Sequence, residues 1–208
     1  VASKKPRLGR PPASSSAETR GRIIDVARQC FAELGYEATT NRTLATEAGI
    51  TTGAIYHYFD SKLEIYRAVL DEVQERVYHL FAQAEREQDT FIGKLEAVLE
   101  CAHQTNRDDA SLAQFLGASR IDRRRVAELA AEFGPDDHRR DGFFEAIVDC
   151  GIKTGEIAKG DRAAIISYIR AFTIGLTDGL SNDHAEHRQA LDGFILVLKG
   201  GISSPKSR

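Results

Sequence analysis

No apolar run in the sequence approaches the ~20 residues that cross a bilayer, and the first residues are basic and polar, without the apolar stretch of a secretory leader. A soluble, cytoplasmic protein with no membrane partner is therefore expected. Cysteine is scarce: Cys30, Cys101 and Cys150 are widely spaced, odd in number and form no C-x-x-C pair, which argues against a disulfide framework or a zinc finger and for reduced, buried thiols. Enzyme signatures are also missing. The chain has no G-x-x-x-x-G-K-[ST] phosphate loop, no H-E-x-x-H and no G-x-S-x-G nucleophile elbow. His184 and His187 stand three apart but have no third ligand, so neither a metal nor another cofactor is expected. No sustained alternation of β-branched residues marks a strand.

What is present is uneven charge and helical periodicity. The 208 residues carry a net charge of -3, yet Lys4, Lys5, Arg7 and Arg10 all precede the first acid, Glu18. A basic end on an acidic body suits a protein that touches phosphate with one end only. Residues 1–16 mix Pro6, Pro11 and Pro12 with Lys, Arg, Gly and Ser, have little to bury, and read as a flexible basic arm. Residues 201–208 read as a disordered tail. Between them apolar residues recur at steps of three and four. The expected first helix opens on a Ser15 to Glu18 capping box and stops at Gly35, followed by short helices over about 42–48 and 52–58. A long helix begins at Asp60 or Ser61 with the stripe Tyr66, Leu70, Val73, Val77, Leu80 and Ala84. Further helices are expected near 90–106, 109–118, 123–133, 138–154, 161–181 and 184–199, with Asp122 and Gly134 among the dividers. The fold class is all-α: an N-terminal three-helix, helix-turn-helix domain over 17–62 and a helical ligand-binding and dimerisation bundle over 63–200.

The informative segment runs from Asn41 to Phe59. Two helices that cross steeply need a small residue at their contact, a glycine at the bend and an apolar anchor in the second helix; Ala45, Gly49 and Ile55 stand at those places. Gly49 can adopt the positive φ of the turn, Thr51 can cap the second helix, and Leu44, Ala48, Ile50, Ile55 and Phe59 can face a core. Thr52, Gly53, Ala54, Tyr56, His57 and Tyr58 are left outward. Small side chains allow close approach to a DNA groove, while methyls, hydroxyls and imidazole can meet bases or phosphate. Lys62, at the start of the long helix, adds positive charge beside free N–H groups, a possible phosphate clamp.

Residues 18–66 resemble the DNA-binding domain of the tetracycline-repressor (TetR) family, through Gly35-Tyr36, Thr39-Thr40, Leu44-Ala45, Ala48-Gly49-Ile50, Gly53 to Phe59 and Ser61-Lys62. The sequence departs mildly at Thr43 and Leu63, where the family often has acidic residues. The resemblance implies a contact set of Thr40, Arg42, Thr51, Thr52, Gly53, Ala54, Tyr56, His57, Tyr58 and Lys62 on double-stranded operator DNA, with the other helices forming a body that binds a small-molecule effector and dimerises. Arg7 and Arg10, in Arg7-Leu8-Gly9-Arg10-Pro11-Pro12, look like the core of an AT-hook and could enter a narrow minor groove.

In the body, Ala171, Gly175 and Gly179 form a smooth ridge, and two glycines in one helix, each costing about 1 kcal/mol against alanine, suggest close helix packing. Ile169, Phe172 and Leu176 beside that ridge, with Leu191, Phe194, Ile195 and Leu198 on the last helix, are expected to pair with a second copy as an isologous four-helix bundle. Leu95, Leu99, His103, Phe115, Leu116, Phe143, Phe144 and Ile147 are expected to line an apolar cavity between helices. The reading is a homodimeric repressor, released from a pseudo-palindromic operator by a small apolar or amphipathic effector. The competing readings are an all-helical enzyme, a small-molecule-binding protein without a DNA role, and a DNA-binding protein whose body senses a protein partner or nothing.

Overall fold

A computed structural model describes residues 16–134 and 138–200, and among them there are only helices and turns. The arm carrying Arg7 and Arg10, the Ser15 cap and the 201–208 tail lie outside the described residues. No described helix is long and apolar enough to cross a membrane.

Helix α1 (Ser16–Ala38) buries Ile23, Ile24, Ala27 and Phe31 and breaks at Gly35, whose φ of 77° only glycine adopts readily, before a last turn that brings Tyr36 into the core. Helices α2 (Asn41–Glu47) and α3 (Thr52–Ile55) form the turn pair, and α4 (Lys62–Glu85) carries the stripe from the N-terminal end into the body. The body adds α5 (Phe91–Asp108), α6 (Ala110–Arg125), α7 (Ala127–Phe133), α8 (His138–Thr154), α9 (Arg162–Leu180) and α10 (His184–Leu198). One set of touching buried side chains extends from Ile23 on α1 to Phe194 on α10.

The expected break at Asp122 is a correction. Helix α6 runs through it to Arg125 and stops at Val126, whose extended backbone separates α6 from α7. Two features explain this. Arg123, Arg124 and Arg125 fill the last turn, where cations favour the negative end of the helix dipole. The Asp122 carboxylate is used elsewhere, accepting a hydrogen bond of 3.0 Å from the Tyr36 amide.

That bond belongs to a junction in which α1 packs along α6 more extensively than any other two elements pack on each other. At its centre the Tyr66 ring lies 5.0 Å from Phe31, 5.2 Å from Tyr36 and 5.4 Å from Phe115, all edge-on or tilted as aromatic quadrupoles prefer. Around the rings, Arg28 Nη1 donates to Asp109 Oδ2 at 2.6 Å and the Tyr36 hydroxyl donates to Glu128 at 2.8 Å. Elsewhere Gly151 lets α8 reach α5: a Cβ there would stand 2.7 Å from the Phe91 Cβ.

Candidate nucleic-acid interface and effector cavity

The turn pair is fixed by local bonds. The Thr40 side chain accepts from the Thr43 amide at 3.1 Å and starts α2, while the two hydroxyls lie 2.9 Å apart, so Thr43 completes the cap without an acid. Gly49 has φ 67°, and the Ile50 amide returns to the Ala45 carbonyl at 2.9 Å, closing the bend. Thr51 accepts from the Ala54 amide at 3.2 Å and starts α3. Ala45, Ala48, Ile55 and Phe59 are buried. Helix α3 is shorter than expected, ending at Ile55, because the chain tightens: the His57 and Tyr58 amides bond three residues back, to Ala54 and Ile55, and Phe59 turns into the core.

Outside that frame Thr40, Arg42, Thr51, Thr52, Gly53, Tyr56 and His57 are exposed, and Ala54 and Tyr58 are half-buried. Tyr56 is 54% exposed, and its hydroxyl accepts from Asn41 Nδ2 at 3.1 Å, which aims the ring from α3 toward the start of α2. Lys62 is different. Its ammonium donates to the carbonyls of Tyr36 at 2.7 Å and Thr39 at 3.0 Å and lies 4.1 Å from the Tyr36 ring centre, and burial lowers its pKa. The sequence put Lys62 in reach of phosphate; here two of its three protons fasten α4 to the end of α1. The N-terminus of α4 is likewise occupied, with Ser61 accepting from the Glu64 amide and Glu64 accepting from the Asp60 amide.

A cavity of about 100 Å³ lies in the body between α4, α5, α6, α8, α9 and the start of α10. Of the residues expected around it, Leu99, Leu116 and Phe144 line it. Leu95, Phe115 and Ile147 are a correction: they are closed into the core, Phe115 being turned toward Tyr66 at the junction. Phe143 packs on Tyr78 and Phe81 behind the wall. His103 stands one layer back, its Nδ1 3.0 Å from Nδ1 of His187, which does line the cavity. Burial first, then the neighbouring His103, lowers the His187 pKa to about 4, so the ring is neutral. Asn106 donates to the Ser181 carbonyl at 2.9 Å, while its Oδ1 is buried with no donor.

Sequence reasoning missed Arg120, Arg140, Thr173 and Thr177 in the lining. The signal existed for Arg120, which continues the four-residue row Leu112, Leu116 into the cavity, a polar group where the row demands an apolar one. The α9 residues were missed because that helix was read as a subunit interface. There the outcome is divided. Ile169, Leu176, Leu191 and Phe194 are buried within the chain, and Phe172 of α9 stacks on Phe194 of α10 with centroids 3.8 Å apart, so these five are covered within one subunit. Ile195 and Leu198 are half-buried, and Gly175 and Gly179 lie open, with no atom within 4 Å of an added Cβ.

Comparison with known proteins agrees with this layout. The family model described as bacterial regulatory proteins, tetR family, matches residues 23–69. The HTH-type transcriptional regulator TtgR of Pseudomonas putida is 40% identical over 72 residues, which are 35% of this chain and 34% of that protein. The HTH-type transcriptional repressor BepR of Brucella suis is 28% identical over 158 residues, 59% of this chain and 74% of that protein. The first of these matches thus spans about a third of its relative's length. Among solved structures, Salmonella enterica GusR superposes with a TM-score of 0.71 at 24% identity, covering 90% of this chain and 96% of that one. A TetR-like transcriptional regulator from Rhodococcus sp. RHA1 gives 0.71 at 18% identity, covering 96% and 100%. Those identities speak for the fold. Residues 23–69 thus match the tetR family model of bacterial regulatory proteins, and the similarity to curated relatives is strongest over that N-terminal third.

Proposed function

We propose that the chain is a homodimeric transcriptional repressor that binds a pseudo-palindromic operator through α3 and leaves it when a small apolar or amphipathic effector fills the body cavity. Residues 17–62 serve as the DNA-binding unit and 63–200 as the effector and dimer unit. The observation that carries this reading is the position of α6. One side of that helix supplies Leu112, Leu116 and Arg120 to the cavity, and its other side holds the DNA-binding end through Asp109, Phe115 and Asp122. A ligand that displaces α6 therefore displaces α1, and with it the separation of two recognition helices that must sit ~34–36 Å apart on successive turns of DNA. A hundredfold loss of operator affinity needs a coupling of only ~2.7 kcal/mol.

The second copy fits the open face of α9 and α10. Tyr168, Leu196 and Val197 are exposed there beside the bare Gly175 and Gly179, an apolar and sterically smooth patch of the kind subunits cover. On DNA, Tyr56, His57, Thr52 and Gly53 meet base edges and Thr40 and Arg42 meet phosphate. Selection of binding sites from a random duplex pool tests the proposal. A pseudo-palindrome with half-sites about one helical turn apart is the expected product; enrichment of no repeated site removes the regulator reading.

A further inference from the structure

The cavity wall is apolar except at a few places, and among its described lining residues the only charged side chains are Arg120 on α6 and Arg140 on α8. No carboxylate is among those described residues. Both arginines are deeply set, with side chains 10% and 11% exposed. Each is anchored from outside the cavity, Arg120 Nη2 by Asp178 and Arg140 Nε and Nη2 by Asp141 Oδ1 at 3.0 and 2.9 Å. Arg120 keeps its Nε proton buried and without an acceptor. A guanidinium is always charged and presents its donors in a fork that fits a carboxylate. A carboxylate guest would add an acceptor beside two guanidinium groups, whereas a cationic guest would find no carboxylate among the described lining residues to receive it.

We propose that the ligand of this cavity is a small amphipathic carboxylate, its acid group held by Arg120 and Arg140 and its apolar part lodged among Val98, Leu99, Leu116 and Phe144. The proposal rests on the reading of the cavity as the effector site and adds the class of effector. The cavity, about 100 Å³, is smaller than the ~150 Å³ that holds one benzene ring, so an aromatic acid enters only as the surrounding helices yield. In the bound state the carboxylate competes with Asp178 for the Arg120 fork. That competition loosens the tie between α6 and α9 that Asp178 now makes.

The test uses the full chain and three probes of one shape: phenylacetate, its neutral amide phenylacetamide, and phenethylammonium, with binding read by calorimetry in the absence of DNA. Phenylacetate is expected to bind at least tenfold more tightly than the amide, and the ammonium not at all. Arg120→Met is expected to erase the preference of acid over amide while far-ultraviolet helicity is kept, and Arg120→Lys to restore part of it. Equal affinity for acid and amide, no binding of phenylacetate, or an unchanged preference in both Arg120→Met and Arg140→Met each overturns the proposal. Failure of the regulator reading looks different: phenylacetate binds with the expected preference, and no DNA site is ever selected.

Discussion

The N-terminal end and the body differ in how their sequence relates to their shape. In the first, spacing within fewer than twenty residues sets the geometry: Thr40 and Thr51 start helices, Gly49 makes the bend, and Ala45 admits the crossing helix. Few residue types satisfy each of those positions. In the body, Leu95, Val98, Ile147 or Val148 need only be apolar and of suitable volume, and many combinations fill the same bundle. The comparisons follow the same division, with 40% identity over a 72-residue segment and only 17–24% across whole folds. The lesson is that a local motif fixes the shape of the small end, whereas the shape of the body is written in long-range packing.

Phe115→Ala cuts where the two regions meet and carries the largest expected effect. The ring is fully buried against Tyr66 and Phe31, and its loss should cost about 3–5 kcal/mol. If the regions are as interdependent as the shared core indicates, urea unfolding remains a single transition at a lower midpoint. Two separated transitions would show that the DNA-binding end folds by itself and break the comparison as drawn.

Acid sharpens it from the body side. His187 has a folded pKa of about 4 against 6.5 for the free side chain, so the folded state binds its proton less readily than the unfolded state. Stability from this group is complete above the unfolded value and is lost as the pH falls toward the folded one, a loss of about 2–3 kcal/mol by pH 4.5. Chemical denaturation from pH 7 to 4.5 should show His187→Gln losing less stability than the unaltered chain. Parallel curves would mean that the His103–His187 pair has no part in the acid response.

Lys62→Met separates two roles for one residue. As a fastener it should cost about 1–3 kcal/mol of stability without DNA present, because two carbonyls lose a charged donor. Unchanged melting together with weaker binding to every DNA sequence would instead return Lys62 to the phosphate role that its place at the helix start suggested.

Tyr56→Ala and His57→Ala are expected to move stability by less than about 0.5 kcal/mol, since both side chains are exposed, while weakening the selected operator roughly tenfold each. Full operator affinity in both variants would take α3 out of the groove. Gly175→Leu should be smallest of all in its effect on the fold, since an added side chain meets nothing within its own subunit. In sedimentation it should shift the dimer toward monomer; an intact dimer would move the interface off this ridge.

The sequence by itself determined the helical class, the caps at Thr51 and Ser61, the bend at Gly49 and the outward set on α3, because each depends on neighbours within a turn or two along the chain. It also determined the amphipathic stripe of α4, whose period needs no partner to be visible. Only the tertiary structure decided that Lys62 faces two carbonyls, that Asp122 lies inside a helix with its carboxylate on the Tyr36 amide, and that Ile169, Leu176, Leu191 and Phe194 are spent within one subunit. The same holds for the cavity. Periodicity tells which face of a helix is apolar, but the face is wide, and whether Phe115 or Leu116 borders empty space depends on the helices packed opposite. Arg120 met Asp178 across 58 residues of chain, and nothing in the local pattern of either could have paired them.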